Sequence, residues 1–204
     1  MTTSYTNKTD KEISVTTEHA AINGIMCDLV GCGWFFDITT VPASETITNT
    51  VMIEAQKFES YKISSFKTIE NVFEVRGDKE SGYAVLEQPY AVLNVNPANE
   101  YTQEVDLSGT TVYDADGIQL IVTGVTTTEG EAFDIHIGLT AVNKRDHATA
   151  VYVEKLYLND IELRCAGYGN EMLANTVRYK PYNIANSYFE TKNITELKSV
   201  QVKF

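Results

Sequence analysis

Val112-Tyr113-Asp114-Ala115-Asp116-Gly117-Ile118-Gln119-Leu120-Ile121-Val122 reads as strand, turn, strand. The flanks are rich in β-branched and aromatic residues, which fit a pleated, half-buried surface. Between them Asp114-Ala115-Asp116-Gly117 supplies the turn, with Gly117 free to take a positive φ. Further on, Phe133-Asp134-Ile135-His136-Ile137-Gly138-Leu139 alternates apolar and polar, the period of a strand with one wet face. Val151, Val153, Leu156 and Leu158 continue in that style. No segment follows the 3.6-residue period of a long amphipathic helix. Short helical turns are expected only near Asn186–Lys192 and Ser64–Ile69, each just ahead of a strand. The predicted class is all-β.

The two halves of the chain match each other. Asn7-Lys8-x-Asp10 returns as Asn143-Lys144-x-Asp146, 136 positions on (143 minus 7). The same shift pairs Val15 with Val151, Ile22-Asn23 with Leu158-Asn159, Ile25 with Ile161, and Gly31-Cys32-Gly33 with Gly167-Tyr168-Gly169. Glu45-x-x-x-Asn49-Thr50-Val51 then matches Glu171-x-x-x-Asn175-Thr176-Val177 at a shift of 126, and Ile69-x-x-Val72 matches Leu197-x-x-Val200. A colinear series outranks any single motif and reads as an internal duplication. The expected architecture is two Ig-like antiparallel β-sandwich units, 1–98 and 99–204.

Each copy is expected to be incomplete at one end. Copy 2 opens with strands within Thr111–Val125 and Phe133–Asn143, for which copy 1 has only the stub Thr3–Asn7. Copy 1 runs on into Tyr83–Glu87 and Ala91–Val95, and copy 2 has nothing equivalent. A sandwich short of a strand leaves N–H and C=O groups unpaired along an edge and an apolar face uncovered. The other half of the chain, a second molecule, or residues beyond this sequence could complete it. In the first case copy 2 would share the Tyr83–Val95 segment.

Tyr101-Thr102-Gln103, Val112-Tyr113-Asp114-x-Asp116-Gly117-Ile118, Asn143-Lys144 and Leu158-Asn159 together resemble a known repeat. It is the tandem Ig-like repeat of secreted or lipid-anchored cell-envelope proteins of gut Gram-positive bacteria, a family of unknown function. Ile22-Asn23-Gly24 fits its isoleucine-asparagine-glycine element fully, while the second copy has Asp160 at the glycine. The resemblance covers nearly the whole chain and implies an exported protein. Its motifs are structural, so it carries over no activity.

Composition narrows the partners. The formal net charge of −12 repels phosphate backbones and anionic lipid head groups, so nucleic acid and membrane insertion are not expected. No run approaches the ~20 apolar residues of a membrane helix. Met1-Thr2-Thr3-Ser4 has neither the basic start nor the apolar run of a signal peptide. The expected location is therefore the cell envelope if a leader was removed, and otherwise the cytoplasm. Three cysteines, Cys27, Cys32 and Cys165, make no disulfide framework and have no metal-ligand spacing.

Candidate sites are few. Gly31-Cys32-Gly33-Trp34-Phe35-Phe36 is the most unusual stretch, because its aromatics fall in an insertion that copy 2 lacks. Trp34, Phe35 and Phe36 form the candidate contact loop, since such rings bury large areas. The competing structural reading has them capping the open core of copy 1. Asp114 and Asp116 begin a calcium-loop pattern, but no glutamate closes it and a hairpin turn is the simpler reading. His19, His136 and His147 lack any partner constellation for nucleophilic catalysis. Tyr157, Tyr168, Tyr179, Tyr182 and Tyr188 would suit carbohydrate stacking, but tyrosine is also a favoured strand residue and that reading is preferred. No catalytic residue, metal or cofactor is assigned. The expected function is a non-enzymatic protein-interaction or assembly module of the bacterial cell envelope, with a protein partner or self-association. It would act through surface complementarity and strand exchange. The alternative is a small acidic intracellular protein that binds and inhibits a partner.

Overall fold

In the computed structural model, residues 2–27, 38–50, 55–78, 80–95, 98, 100–127, 135–152, 154–163, 169–184 and 198–203 are described, and nearly every element among them is a strand. The chain divides into two compact units, Met1–Val105 and Asp106–Phe204.

Unit 1 contains β1 (Thr2–Thr6), β2 (Ile13–Ile22), β3 (Ile25–Cys27), β4 (Thr39–Val41), β5 (Thr46–Thr50), the short helix α1 (Ala55–Ser60), β6 (Thr68–Arg76), β7 (Val85–Glu87) and β8 (Tyr90–Asn94). All of its ladders are antiparallel. The centre is β2, with β6 along one side and β4 then β3 along the other. Its burial pattern shows why the strand is irregular. Val15 and Thr17 are buried, the pairing with β6 slips between Thr17 and His19, and beyond the slip Ala20, Ala21 and Ile22 are all buried. Such a slip is a bulge, which locally breaks the period of two. Ile22 and Ile25 are essentially fully buried, each stabilising the unit by about 1.5–3 kcal/mol through area removed from water. Between them Asn23 (φ 51°) and Gly24 (φ 79°) form a two-residue hairpin turn with both residues left-handed.

β7 and β8 lie end to end along the side of β6 away from β2, with Val75 opposite Glu87 and Ile69 opposite Leu93. The Tyr83–Val95 segment therefore pairs within unit 1. On the opposite layer β1 pairs β5, and the Tyr5 ring meets Phe73 of β6 edge to face at 5.9 Å.

Unit 2 contains β9 (Thr110–Ala115), β10 (Ile118–Thr127), β11 (Ile135–Asn143), β12 (Thr149–Tyr152), β13 (Lys155–Leu158), β14 (Ile161–Leu163), β15 (Gly169–Met172), β16 (Thr176–Tyr179), β17 (Tyr182–Ile184) and β18 (Val200–Lys203). β9, β10 and β11 follow one another in a sheet, and β16 and β17 pair the far side of β11. β12 pairs β15, while β13 lies between β14 and β18. Ile118, Leu120, Ala141, Val151 and Met172 form one buried cluster, so the β10–β11 layer packs on the β12–β15 layer. The turn between β9 and β10 is only Asp116 (φ 51°) and Gly117 (φ 74°), shorter than the four residues expected, because pairing runs on to Ala115 opposite Ile118.

Helix placement also differs from expectation. Ser64–Ile69 is not helical: Thr68 and Ile69 already belong to β6, and the only described helix lies earlier, at Ala55–Ser60. The Asn186–Lys192 turn lies outside the described residues. Among the described residues, no helix is long and apolar enough to cross a membrane.

Candidate interaction surface

The edge strands carry what an ordinary interior would hide. On and beside β7 and β8, Val85, Leu86, Tyr90, Val92, Leu93 and Val95 are each between 46% and 54% exposed. On and beside β9, Leu107, Val112 and Tyr113 are 42–48% exposed, as is Val125 of β10 at 44%. Single exposed apolar residues need no explanation, but runs of them on edge strands do. Neighbouring residues of β8 point to opposite faces, so both faces of this edge are open. Among the described strands, none pairs with the outer side of β7, β8 or β9.

The β7–β8 edge is anchored from below. Glu74 of β6 is buried, and it accepts hydrogen bonds from Arg76 Nε and, at 3.1 Å, from Gln88 Nε2 in the link between the two strands. The Tyr90 hydroxyl donates to Glu70 at 2.6 Å. Partial burial, then that carboxylate, push the phenol up to about 12. On β9, Asp114 pairs with Lys144 at 3.3 Å, leaving the strand's apolar residues as its open feature.

Two loops show a recurrent bonding scheme around a buried asparagine. Asn7 is buried, and its Nδ2 donates to the carbonyl oxygens of Lys11 (2.7 Å), Val41 (3.0 Å) and Pro42 (3.1 Å). Its Oδ1 accepts from the Thr9 N–H at 2.9 Å. Asn143 is equally buried and donates to the carbonyls of His147 (2.9 Å) and Leu173 (2.8 Å), while accepting from the Arg145 N–H at 3.0 Å. The Ser44 N–H donates to the Thr9 carbonyl at 3.2 Å, and the Asn175 N–H to the Arg145 carbonyl at 3.0 Å.

The hairpin turns behave alike. Asn23 Oδ1 accepts from the N–H groups of Lys67 and Thr68. Asn159 Oδ1 accepts from those of Lys198 and Ser199. Ile22 stands opposite Ile69 in one ladder and Leu158 opposite Val200 in the other. Matched positions are 136 apart early in the series (143 minus 7) and 131 apart later (173 minus 42, 199 minus 68). The shift of 126 is corrected. Asn175 (φ 53°) occupies a turn like that of Ser44 (φ 60°), whereas Asn49 lies within β5.

Of the sequence candidates, Trp34, Phe35 and Phe36 lie outside the described residues. Asp114 is engaged by Lys144, and the Asp116 backbone carbonyl accepts from Arg145 Nε at 2.6 Å, so the turn is tied to the loop that follows β11. Among the described residues, no group of three His, Cys, Asp or Glu side chains could hold a metal ion. His136 Nδ1 lies 2.7 Å from Asn183 Oδ1, and His147 Nδ1 lies 2.8 Å from Asp146 Oδ1. Cys27 is a buried thiol donating to the Ile25 carbonyl. Tyr157 donates to Glu162, and the Tyr179 hydroxyl accepts from the Asp106 N–H, so these rings serve local structure. Tyr168 and Tyr188 lie outside the described residues.

Sequence reasoning named neither the β7–β8 edge nor β9 as a surface. One signal was available: the ten residues from Pro89 to Ala98 carry no charge. Such a run at a sheet edge is a pairing template. No family model, curated protein or solved structure matches the chain.

Proposed function

We propose that this chain is a non-enzymatic interaction module whose activity is assembly, built from two copies of one Ig-like sandwich unit that arose by internal duplication. The observation that carries this reading is the run of half-exposed apolar residues on β7, β8 and β9. β7–β8 has no counterpart among the described residues of unit 2, and β9–β10 has none in unit 1. Strands that lack a counterpart in the sister copy are the ones left uncovered. The paired asparagine networks, which share most of their bonds at matched positions, support descent of both units from one repeat. The likeness to envelope repeats favours a role outside the cell, with binding through surface complementarity and strand addition at open edges.

The test is hydrogen exchange combined with light scattering on the whole chain over a range of concentrations. Rising mass, with slowed exchange confined to edge strands, is the expected outcome. A single mass with unchanged edge exchange at every concentration would remove assembly as the function.

A further inference from the structure

Resting on the assembly reading, we infer that the partner at β8 is a second copy of this chain. The two β8 strands pair antiparallel about a two-fold axis at Val92, so that the sheet of unit 1 continues from one copy into the other.

The bonding of the strand leaves one side open. The Val95 N–H donates to the Lys67 carbonyl, and the Pro89 carbonyl accepts from the Phe73 N–H, each at 3.0 Å. Residues 89, 91, 93 and 95 therefore turn their main-chain groups toward β6, and Tyr90, Val92 and Asn94 turn theirs away. Among the described strands none pairs with that outer side. Edge strands are ordinarily guarded by charge, by proline or by a bulge. β7 has Glu87 and a slip against β6, and β9 has Asp114 and a slip against β10. β8 has no charge and pairs β6 without a slip. Pro89, just before it, has its missing donor on the β6 side and so does not block the outer one.

Register and charge name a copy of the chain as the occupant. With Val92 opposite its own image, Tyr90 meets Asn94 of the other copy, and each outward residue joins a pair that exchanges two main-chain hydrogen bonds. Side chains 91 and 93 lie on the opposite face from 90, 92 and 94. There Leu93 stands opposite Ala91 of the other copy, a large side chain against a small one. Moving the axis to Ala91 or Leu93 sets like against like and leaves an outward end residue without a partner in β8. A chain of net charge −12 repels its own kind over most of its surface, so self-contact belongs where charge is absent, as it is from Pro89 to Ala98. Glu70 stands opposite Val92 in the ladder with β6 and is held by the Tyr90 hydroxyl. In the dimer the two Glu70 residues lie three strand spacings apart, roughly 14 Å, beyond the screening length of about 8 Å at physiological salt. A basic foreign partner finds no carboxylate on the strand to steer it. So short a strand buries less than the ~1,600 Å² of a standard interface, which makes the dimer weak and dependent on concentration.

Equilibrium sedimentation of the whole chain and of three variants tests the pairing. V92K and V92E should each associate about 5-fold or more weakly, because like charges then face each other across the axis. Their equimolar mixture should return to near-native association, because lysine then faces glutamate. V92P should weaken the dimer by about 10-fold or more, since it removes an outward N–H that the ladder with β6 does not use. A mixture as weak as its components means that Val92 does not face its image, and the pairing is wrong. If all three variants dimerise as the native chain does, another face is used: the inference falls and the assembly reading stands. A native chain that grows past a dimer has an open-ended contact, which overturns the two-fold pairing alone. A native chain that stays single at all concentrations sinks both. Should the variants not fold, hydrogen exchange on the native chain decides. The amides of 90, 92 and 94 must slow as concentration rises, while those of 91 and 93, already turned to β6, stay as they are. Slowing of neither set, or of both alike, overturns the proposal.

Discussion

Replacing Asn143 by alanine strips the His147 and Leu173 carbonyls of the amide that meets them and leaves the Arg145 N–H unaccepted. All of this lies at a residue 1% exposed, so water cannot substitute without opening the loop. Asn143→Ala should therefore lower stability by about 2–4 kcal/mol, and Asn7→Ala by a similar amount, read as a fall in the urea midpoint. A change under 0.5 kcal/mol for either would mean that the networks do not organise their loops.

Tyr90 offers a pH measurement at the same scale. Its phenol is raised to about 12 by partial burial and by Glu70. The folded value lies above the unfolded one, so the associated stability is fully present below about pH 10 and is lost as pH climbs toward 12. Ultraviolet titration of the native chain minus that of Tyr90→Phe should isolate one phenol ionising late. A difference curve centred at the ordinary tyrosine value would contradict the Glu70 contact. The asparagine pair was legible in the sequence as a repeated Asn-Lys-x-Asp. Its bonding was not, because Pro42 and Leu173 sit some thirty residues away and nothing local marks them.

At the scale of elements, the two units differ instructively at one turn. Asn23-Gly24 and Asn159-Asp160 both close two-residue hairpins, but Asp160 holds φ 65° with a Cβ that glycine lacks. Asp160→Gly should raise stability by about 0.5–1 kcal/mol, after the exposed bond from Gln201 to Asp160 is lost. Gly117→Ala should do the opposite, since φ is 74° and an added Cβ would meet Arg145 Cγ at 3.0 Å. Thermal unfolding of both variants checks the pair, and equal midpoints would refute the strain argument. Strand periodicity located most of these elements well, because a period of two marks the starts of β10 and β11 and all of β13. It failed where the backbone slips: the register shift in β2 follows from pairing with β6, which only the fold reveals. Letters and bonding diverge in the later matches for a related reason. Glu-x-x-x-Asn recurs by letter 126 positions on, while the bonding recurs 131 positions on.

For the whole molecule, edge strands follow from an all-β reading, but the residues they expose do not. Exposure of Val92 or Tyr113 depends on which elements pack beside their strands, and no local window records that. The consequence for self-association has a definite sign. Two chains that meet through the apolar residues of their edge strands while each carries −12 repel over their remaining surfaces. Salt shortens the range of that repulsion to about 8 Å at physiological ionic strength and barely weakens apolar burial. Raising salt from about 0.02 M to 0.15 M should therefore tighten the dimer several-fold, by equilibrium sedimentation. Lowering pH toward the isoelectric point of 4.6 should act in the same direction, because it removes charge from both copies. An interface built on ion pairs would respond in the opposite sense and weaken with salt. A dimer that dissociates as salt rises would thus place the contact on charged surface, away from β8 and β9.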